Sequence, residues 1–176
     1  MEGDPLSLFQ RIFGETKQRA PLQPLYGAVV ARGRDPSWYR DGRVPDTLDG
    51  RFDMIAAILS LVLLRLEQEG DSGKGPSVLL TEIFIDDMDA TLRQLGVGDY
   101  VVGKHVGRMV SALGGRLTAF REGLAGGSLE AAVKRNVFHE APPSDSALAF
   151  VTAGLERFAR ALAEVPAETV LAGELP

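Results

Sequence analysis

The chain contains no cysteine, which excludes disulfides, thiolate metal sites and a cysteine nucleophile. It has only two histidines, His105 and His139, and neither has a glutamate three residues before it. The paired Glu-x-x-His units of a di-iron helical bundle are therefore missing, as is His-Glu-x-x-His. Basic residues are in deficit, 19 against 24 acidic ones for a net charge of −5, which argues against a general grip on nucleic acid. The longest apolar run, residues 54–64, falls well short of the roughly 20 residues needed to span a bilayer. No Gly-x-Ser-x-Gly elbow occurs. Gly70-Asp71-Ser72-Gly73-Lys74-Gly75 has a phosphate-loop look but the wrong spacing and no preceding strand, and reads as a linker. No alternating strand pattern bounded by hairpin turns is present.

What is there is helical periodicity in an ordinary globular composition, 45% hydrophobic and 24% charged over 176 residues, the size of one domain. A short helix over 6–13 places Leu6, Phe9 and Phe13 on one side, with Ile12 close by. Near Arg11, Lys17 and Arg19, this segment has two readings, lying on a membrane surface or docking on the body of the protein. A second helix covers 22–32 with Leu25, Tyr26 and Val29. Residues 33–46, with glycine, prolines and mixed charges, read as a loop holding one short turn around Trp38-Tyr39. Thr47 caps a long buried helix that stops near Gly70. Residues 71–76 read as a flexible connection, and Ser77 as the cap of a helix ending at Gly96. Asp99 caps a helix over 100–123, whose apolar set is Val102, Val106, Met109, Val110, Leu113, Leu117 and Phe120. Gly126-Gly127-Ser128 opens a short helix to about residue 138. After Pro142-Pro143-Ser144, a last helix carries Leu148, Val151, Leu155, Phe158 and Leu162. The expected fold is all-α, an irregular single-domain bundle of six to seven helices. Its expected parts are an N-terminal amphipathic arm (1–20), a helical body (21–165) and a C-terminal tail (166–176).

At 100° per residue, Leu80, Phe84, Met88, Leu92 and Leu95 share one arc of the acidic helix, with Ile83 at its edge. Glu82, Asp86, Asp89 and Arg93 lie opposite, as a solvated face. Asp87 falls on the apolar side, where a carboxylate must find a partner or be neutral. Arg51, Lys104 and Arg108 are the expected partners, and a structural pair and a partner-binding role both stay open. On the following helix, small residues recur every four positions at Gly103, Gly107, Ser111 and Gly115. Helix-interior glycine costs about 1 kcal/mol relative to alanine, so the row needs a reason. It is either tight packing within the bundle or a groove for an incoming helix, rimmed by Lys104 and Arg108. Trp38, beside Tyr39 and near Arg43, either plugs the core edge or anchors an interface.

The stretch from Asp86-Asp87-Met88-Asp89 through Gly96-Val97-Gly98-Asp99, with Arg34-Asp35-Pro36-Ser37-Trp38-Tyr39 and Pro45-Asp46-Thr47-Leu48-Asp49-Gly50-Arg51-Phe52-Asp53, resembles the ubiquinol-cytochrome c chaperone family. The resemblance is densest over residues 25–120. It implies a non-enzymatic assembly chaperone for the cytochrome bc complex whose client is newly made cytochrome b or another subunit of that complex. Mitochondrial members work with a small partner near the ribosomal exit, so transient ribosome or membrane-surface contact is part of the implication. The start Met1-Glu2-Gly3-Asp4-Pro5 has neither signal-peptide nor Arg-rich transit character, which fits a bacterial cytoplasmic protein, peripheral at most at the inner face of the plasma membrane. The candidate partner-binding residues are Trp38, Tyr39, Arg43, Asp87, Asp89, Arg93, Lys104, Gly107 and Arg108. No catalytic set, metal or cofactor is expected. The rival readings are a helical domain binding haem, through His105, or an isoprenoid, and a protein-interaction scaffold. Asp86-Asp87-Met88-Asp89 lacks the Asp-Asp-x-x-Asp spacing of isoprenoid diphosphate chemistry.

Overall fold

The computed structural model describes residues 19–96 and 98–176, apart from the side chains of Asp99, Tyr100, Val102, His105 and Val106. The expected helix over 6–13 lies outside these residues. The described residues form a 3₁₀ turn, Ala20–Leu22, and the helices α1 Gln23–Gly33, α2 Pro36–Arg40, α3 Leu48–Glu67, α4 Asp71–Gln94, α5 Asp99–Gly126, α6 Glu130–Asn136, α7 Asp145–Ala163 and α8 Ala167–Leu171. Among them there is no strand, and the all-α expectation holds.

α3 is the axis of the bundle. From Met54 to Leu64 every side chain is buried, as a helix apolar all round must be. It packs against α1, α4, α5 and α7. Its wholly buried Ser60 donates back to the Ala56 carbonyl at 2.7 Å, which satisfies the hydroxyl without a second residue. Thr47 caps it as the sequence predicts, its hydroxyl accepting the Gly50 N–H at 3.1 Å. Where α1 crosses α3, a Cβ on Gly33 would stand 2.8 Å from the Ile55 Cα, backbone that cannot yield. Gly33→Ala is therefore expected to destabilise the fold by about 1–3 kcal/mol in a denaturant titration. An unchanged midpoint would mean that the helices are not in contact there.

Three boundaries differ from the sequence reading. α4 begins at Asp71, not Ser77, with Gly70 (φ 61°) turning the chain and Pro76 inside the helix. Glycines and a proline make residues 71–76 a poor helix by propensity, but packing overrides it. A Cβ on Gly73 would lie 1.9 Å from the Leu66 carbonyl oxygen, so the α3–α4 hairpin closes on a bare backbone. Ser77 does not cap; its hydroxyl donates to the Gly73 carbonyl at 2.8 Å. Second, α5 starts at Asp99 with Gly98 at the cap position and no side-chain cap, and runs on to a left-handed Gly127 (φ 86°). Third, residues 167–171 form α8, whose Val170 is fully buried.

The apolar stripes of α4 and α7 are buried as predicted, with exceptions on α4 and α5. Leu95 and Val110 are 60% and 43% exposed. Leu95 follows the last turn of α4, and Val110 lies on the side of α5 that turns away from α3. Arg116 takes a core position instead.

Candidate functional site

The helices α3, α4 and α5 leave an open groove of 570 Å³ between them. Leu48, Phe52 and Ala56 of α3 and Phe84, Leu92 and Leu95 of α4 form its apolar walls. The third side is α5, where Arg108, Ala112 and Arg116 follow at four-residue steps, with Met109 beside them. His139, from the turn after α6, closes one end. A groove of this size in a bundle is the default place to look for binding.

Its polar end is a network centred on Asp53. The Arg116 guanidinium donates through Nη2 to Asp53 Oδ1 at 2.7 Å and to the Asn136 carbonyl at 2.8 Å. His139 Nε2 lies 2.7 Å from Asp53 Oδ2. Burial pulls the Arg116 pKa below its ordinary value, against the pull of Asp53, but a guanidinium stays charged at any physiological pH. Asp53 thus stands between a permanent cation and an imidazole that needs only its neutral Nε2–H form to donate. His139 and Glu140 take positive φ angles of 49° and 66°, the left-handed turn that ends α6 and swings the imidazole toward α3. Among the described residues, no group of three or more His, Cys, Asp or Glu side chains is placed to hold a metal ion.

Of the nine candidate partner-binding residues, Arg108 alone lines the groove. Lys104 and Gly107 are exposed on the same helix. Among the described residues the row of small residues faces outward: a Cβ on Gly103, Gly107 or Gly115 would meet none of their atoms within 4 Å. Packing among these helices is therefore not the reason for it. Asp89 and Arg93 pair with each other at 2.7 Å on the outer face of α4. Asp87 does sit toward the body, but its partner is the Tyr26 hydroxyl, which donates to Oδ2 at 2.6 Å. The reason is that α1 packs on that side of α4, while Arg51, one expected partner, is held by Asp46 at 2.7 Å. Trp38 is 4% exposed, with its indole N–H donating to the Arg32 carbonyl at 2.8 Å and its ring edge-on to Phe150. Tyr39 is half-buried and donates to the Gly33 carbonyl at 2.7 Å; Arg43 is exposed, with φ 56°. This corner is knit to the core and does not line the groove.

Burial, reinforced by Asp87, drives the Tyr26 pKa far above its ordinary 10, and burial pushes Tyr39 up to about 12. A raised folded-state pKa contributes stability that is whole below the unfolded value and lost as pH rises through the folded one. Stability is therefore expected to hold to pH 10 and to fall above it, toward 12 for Tyr39. Tyrosinate absorbance should show the Tyr39 step, and Tyr39→Phe should remove it; a step at the ordinary value would show that Tyr39 is solvated.

Sequence reasoning passed over Asp53, Arg116 and His139 as a set. A signal was present: Arg116 stands between Leu113, Leu117 and Phe120 at buried helical spacing, and Asp53 opens the most apolar stretch of the chain. Two opposite charges, each at a core position, mark a buried pair.

The sequence model of the ubiquinol-cytochrome c chaperone family matches residues 40–175. The chain belongs to that family. The crystal structure of the Cbp3 homolog from Brucella abortus superimposes with a TM-score of 0.77 at 28% identity, covering 97% of this chain and 94% of that one. A comparison with proteins of curated function found no match. The region matched to the chaperone family takes in α3 to α8 and with them every residue that lines the groove.

Proposed function

We propose that the protein is a non-enzymatic assembly chaperone of the cytochrome bc complex, and that it holds newly made cytochrome b by receiving an apolar helix in the groove between α3, α4 and α5. Family membership supports the bc-complex role. The observation that carries the mode of binding is the outward row of small residues beside the groove. Bare backbone at Gly103 and Gly107 lets another helix come within van der Waals distance, while Phe52, Phe84, Leu92 and Leu95 offer it apolar walls. An immature membrane subunit has such helices and must be kept from aggregating before its partners arrive. Among the described residues no helix is long and apolar enough to cross a membrane, so on this reading it is the client that supplies the membrane helix.

The groove's volume also suits a small amphiphile such as haem, the second reading. One experiment separates the two. The chain has no cysteine, so Ala112→Cys carries a single photocrosslinker into the groove. Adducts to cytochrome b in membranes, together with loss of assembled bc complex in a deletion strain, are expected. Normal assembly in that strain with no adduct would overturn the proposal, and a bound chromophore in the purified protein would favour the second reading.

A further inference from the structure

A second pocket, of 470 Å³, lies at the corner where α1, α2 and α3 meet, and it is basic. Arg34 enters it just past the end of α1, Pro36, Tyr39 and Arg40 from α2, Asp46 from the turn before α3, and Arg51 from the first turns of α3. Three guanidiniums share the pocket with one carboxylate, in a chain whose net charge is −5. That carboxylate is engaged: Asp46 Oδ1 accepts from Arg51 Nε at 2.7 Å, which leaves both Nη groups of Arg51 without a partner among the described residues. Arg40 donates through Nε and Nη2 to Asp41, at 2.9 and 2.6 Å. Arg34 has no such partner; among the described residues its guanidinium forms neither an ion pair nor a hydrogen bond. The charges of Arg34 and Arg51 both reach the Tyr39 hydroxyl, which already donates to the Gly33 carbonyl. Tyr39 and Pro36 therefore offer apolar wall, and the arginines supply the donors.

The chemistry of those donors selects the ligand. The Arg51 and Asp46 side chains are 52% and 58% exposed, and pairs so open to water hold their partners weakly. Another carboxylate would only repeat the partners that Arg40 and Arg51 already have. A phosphate group carries more charge and several free oxygens, so it can accept from two guanidinium forks at once. We propose that Arg34 and Arg51, with Arg40 beside them, bind a phosphate group whose organic stem lies against Tyr39 and Pro36. A free phosphate compound and a phospholipid headgroup present this same chemistry. The pocket shares no lining residue with the client groove, so it can be tested on the purified chain whatever the client is.

The full-length protein is titrated with inorganic phosphate by calorimetry, and sedimented with phosphatidylcholine vesicles made with and without phosphatidylglycerol. It should bind phosphate, the phosphatidylglycerol vesicles, or both. Arg34→Gln with Arg51→Gln should weaken that binding about tenfold or more. Arg135→Gln with Arg160→Gln removes the same charge at exposed positions outside the pocket and should change it less than about twofold. Arg34→Lys with Arg51→Lys keeps the charge but not the fork, and should lose binding nearly as far as the first pair. Binding of phosphate but not of vesicles would support the site with a free compound as its ligand. Binding of phosphatidylglycerol vesicles that the first pair abolishes would support it with a lipid headgroup. No binding of either probe, equal losses from the two glutamine pairs, or full binding by the lysine pair would overturn the proposal.

Discussion

Asp53→Ala is expected to lower the stability of the fold by about 3–5 kcal/mol, read as a drop in the urea midpoint. The side chains of Asp53 and Arg116 are only 13% and 8% exposed. Removing the carboxylate leaves a buried guanidinium with the Asn136 carbonyl as its remaining acceptor, and Arg116 Nε already lacks a protein partner. An uncompensated buried charge is among the largest single destabilising terms a substitution can create. The double replacement Asp53→Leu with Arg116→Met removes both charges and should recover most or all of that loss. His139→Ala, at a side chain 69% exposed, should cost under about 1 kcal/mol, because its bond to Asp53 competes with water. A loss below about 1 kcal/mol for Asp53→Ala would show that water reaches the pair.

Gly107 should separate folding from binding. Among the described residues no atom lies within 4 Å of a Cβ built there, so Gly107→Ala is expected to stabilise the chain by about 0.5–1 kcal/mol through helix propensity alone. Gly107→Leu should fold equally well and yet weaken client capture roughly tenfold or more, equivalent to about 1.4 kcal/mol of lost contact. The branched side chain holds an incoming helix away from the α5 backbone. Thermal unfolding and quantitative pull-down of cytochrome b from membranes check the two halves. Unfolding by Gly107→Leu, or capture at the wild-type level, would remove the small-residue face from the binding surface.

Most of the fold was legible because burial writes a period into the chain. Met54 to Leu64 is apolar on every side and lies at the centre; Leu148, Val151, Leu155, Phe158 and Leu162 mark one stripe and are all buried. What misled was local composition. Residues 71–76 have the glycine and proline of a linker, yet they form the first turns of α4, where Gly73 lies bare against the α3 backbone. At the candidate site, spacing picked out the row at Gly103, Gly107 and Gly115 but not the direction it faces, which depends on how α5 is rotated against α3. Asp87 was correctly placed toward the body, but its partner was not, because a tyrosine on α1 is invisible to a search for cations. The buried pair of Asp53 and Arg116 joins residues far apart in the chain, a distance that no helical wheel spans.

The uneven burial of α5 bears on how such a chaperone lets go. Before Leu113, the described side chains of this helix are exposed except for the half-buried Met109; after it, Leu113, Arg116 and Phe120 are anchored in the core. On the reading proposed above, exposed side chains of that first half, Arg108 among them, lose rotamer freedom when a guest helix lies on them, so part of the contact free energy goes into ordering the host. The result is a grip whose strength lies below what its apolar area suggests. For a chaperone that must let its client go, ready dissociation is as necessary as capture.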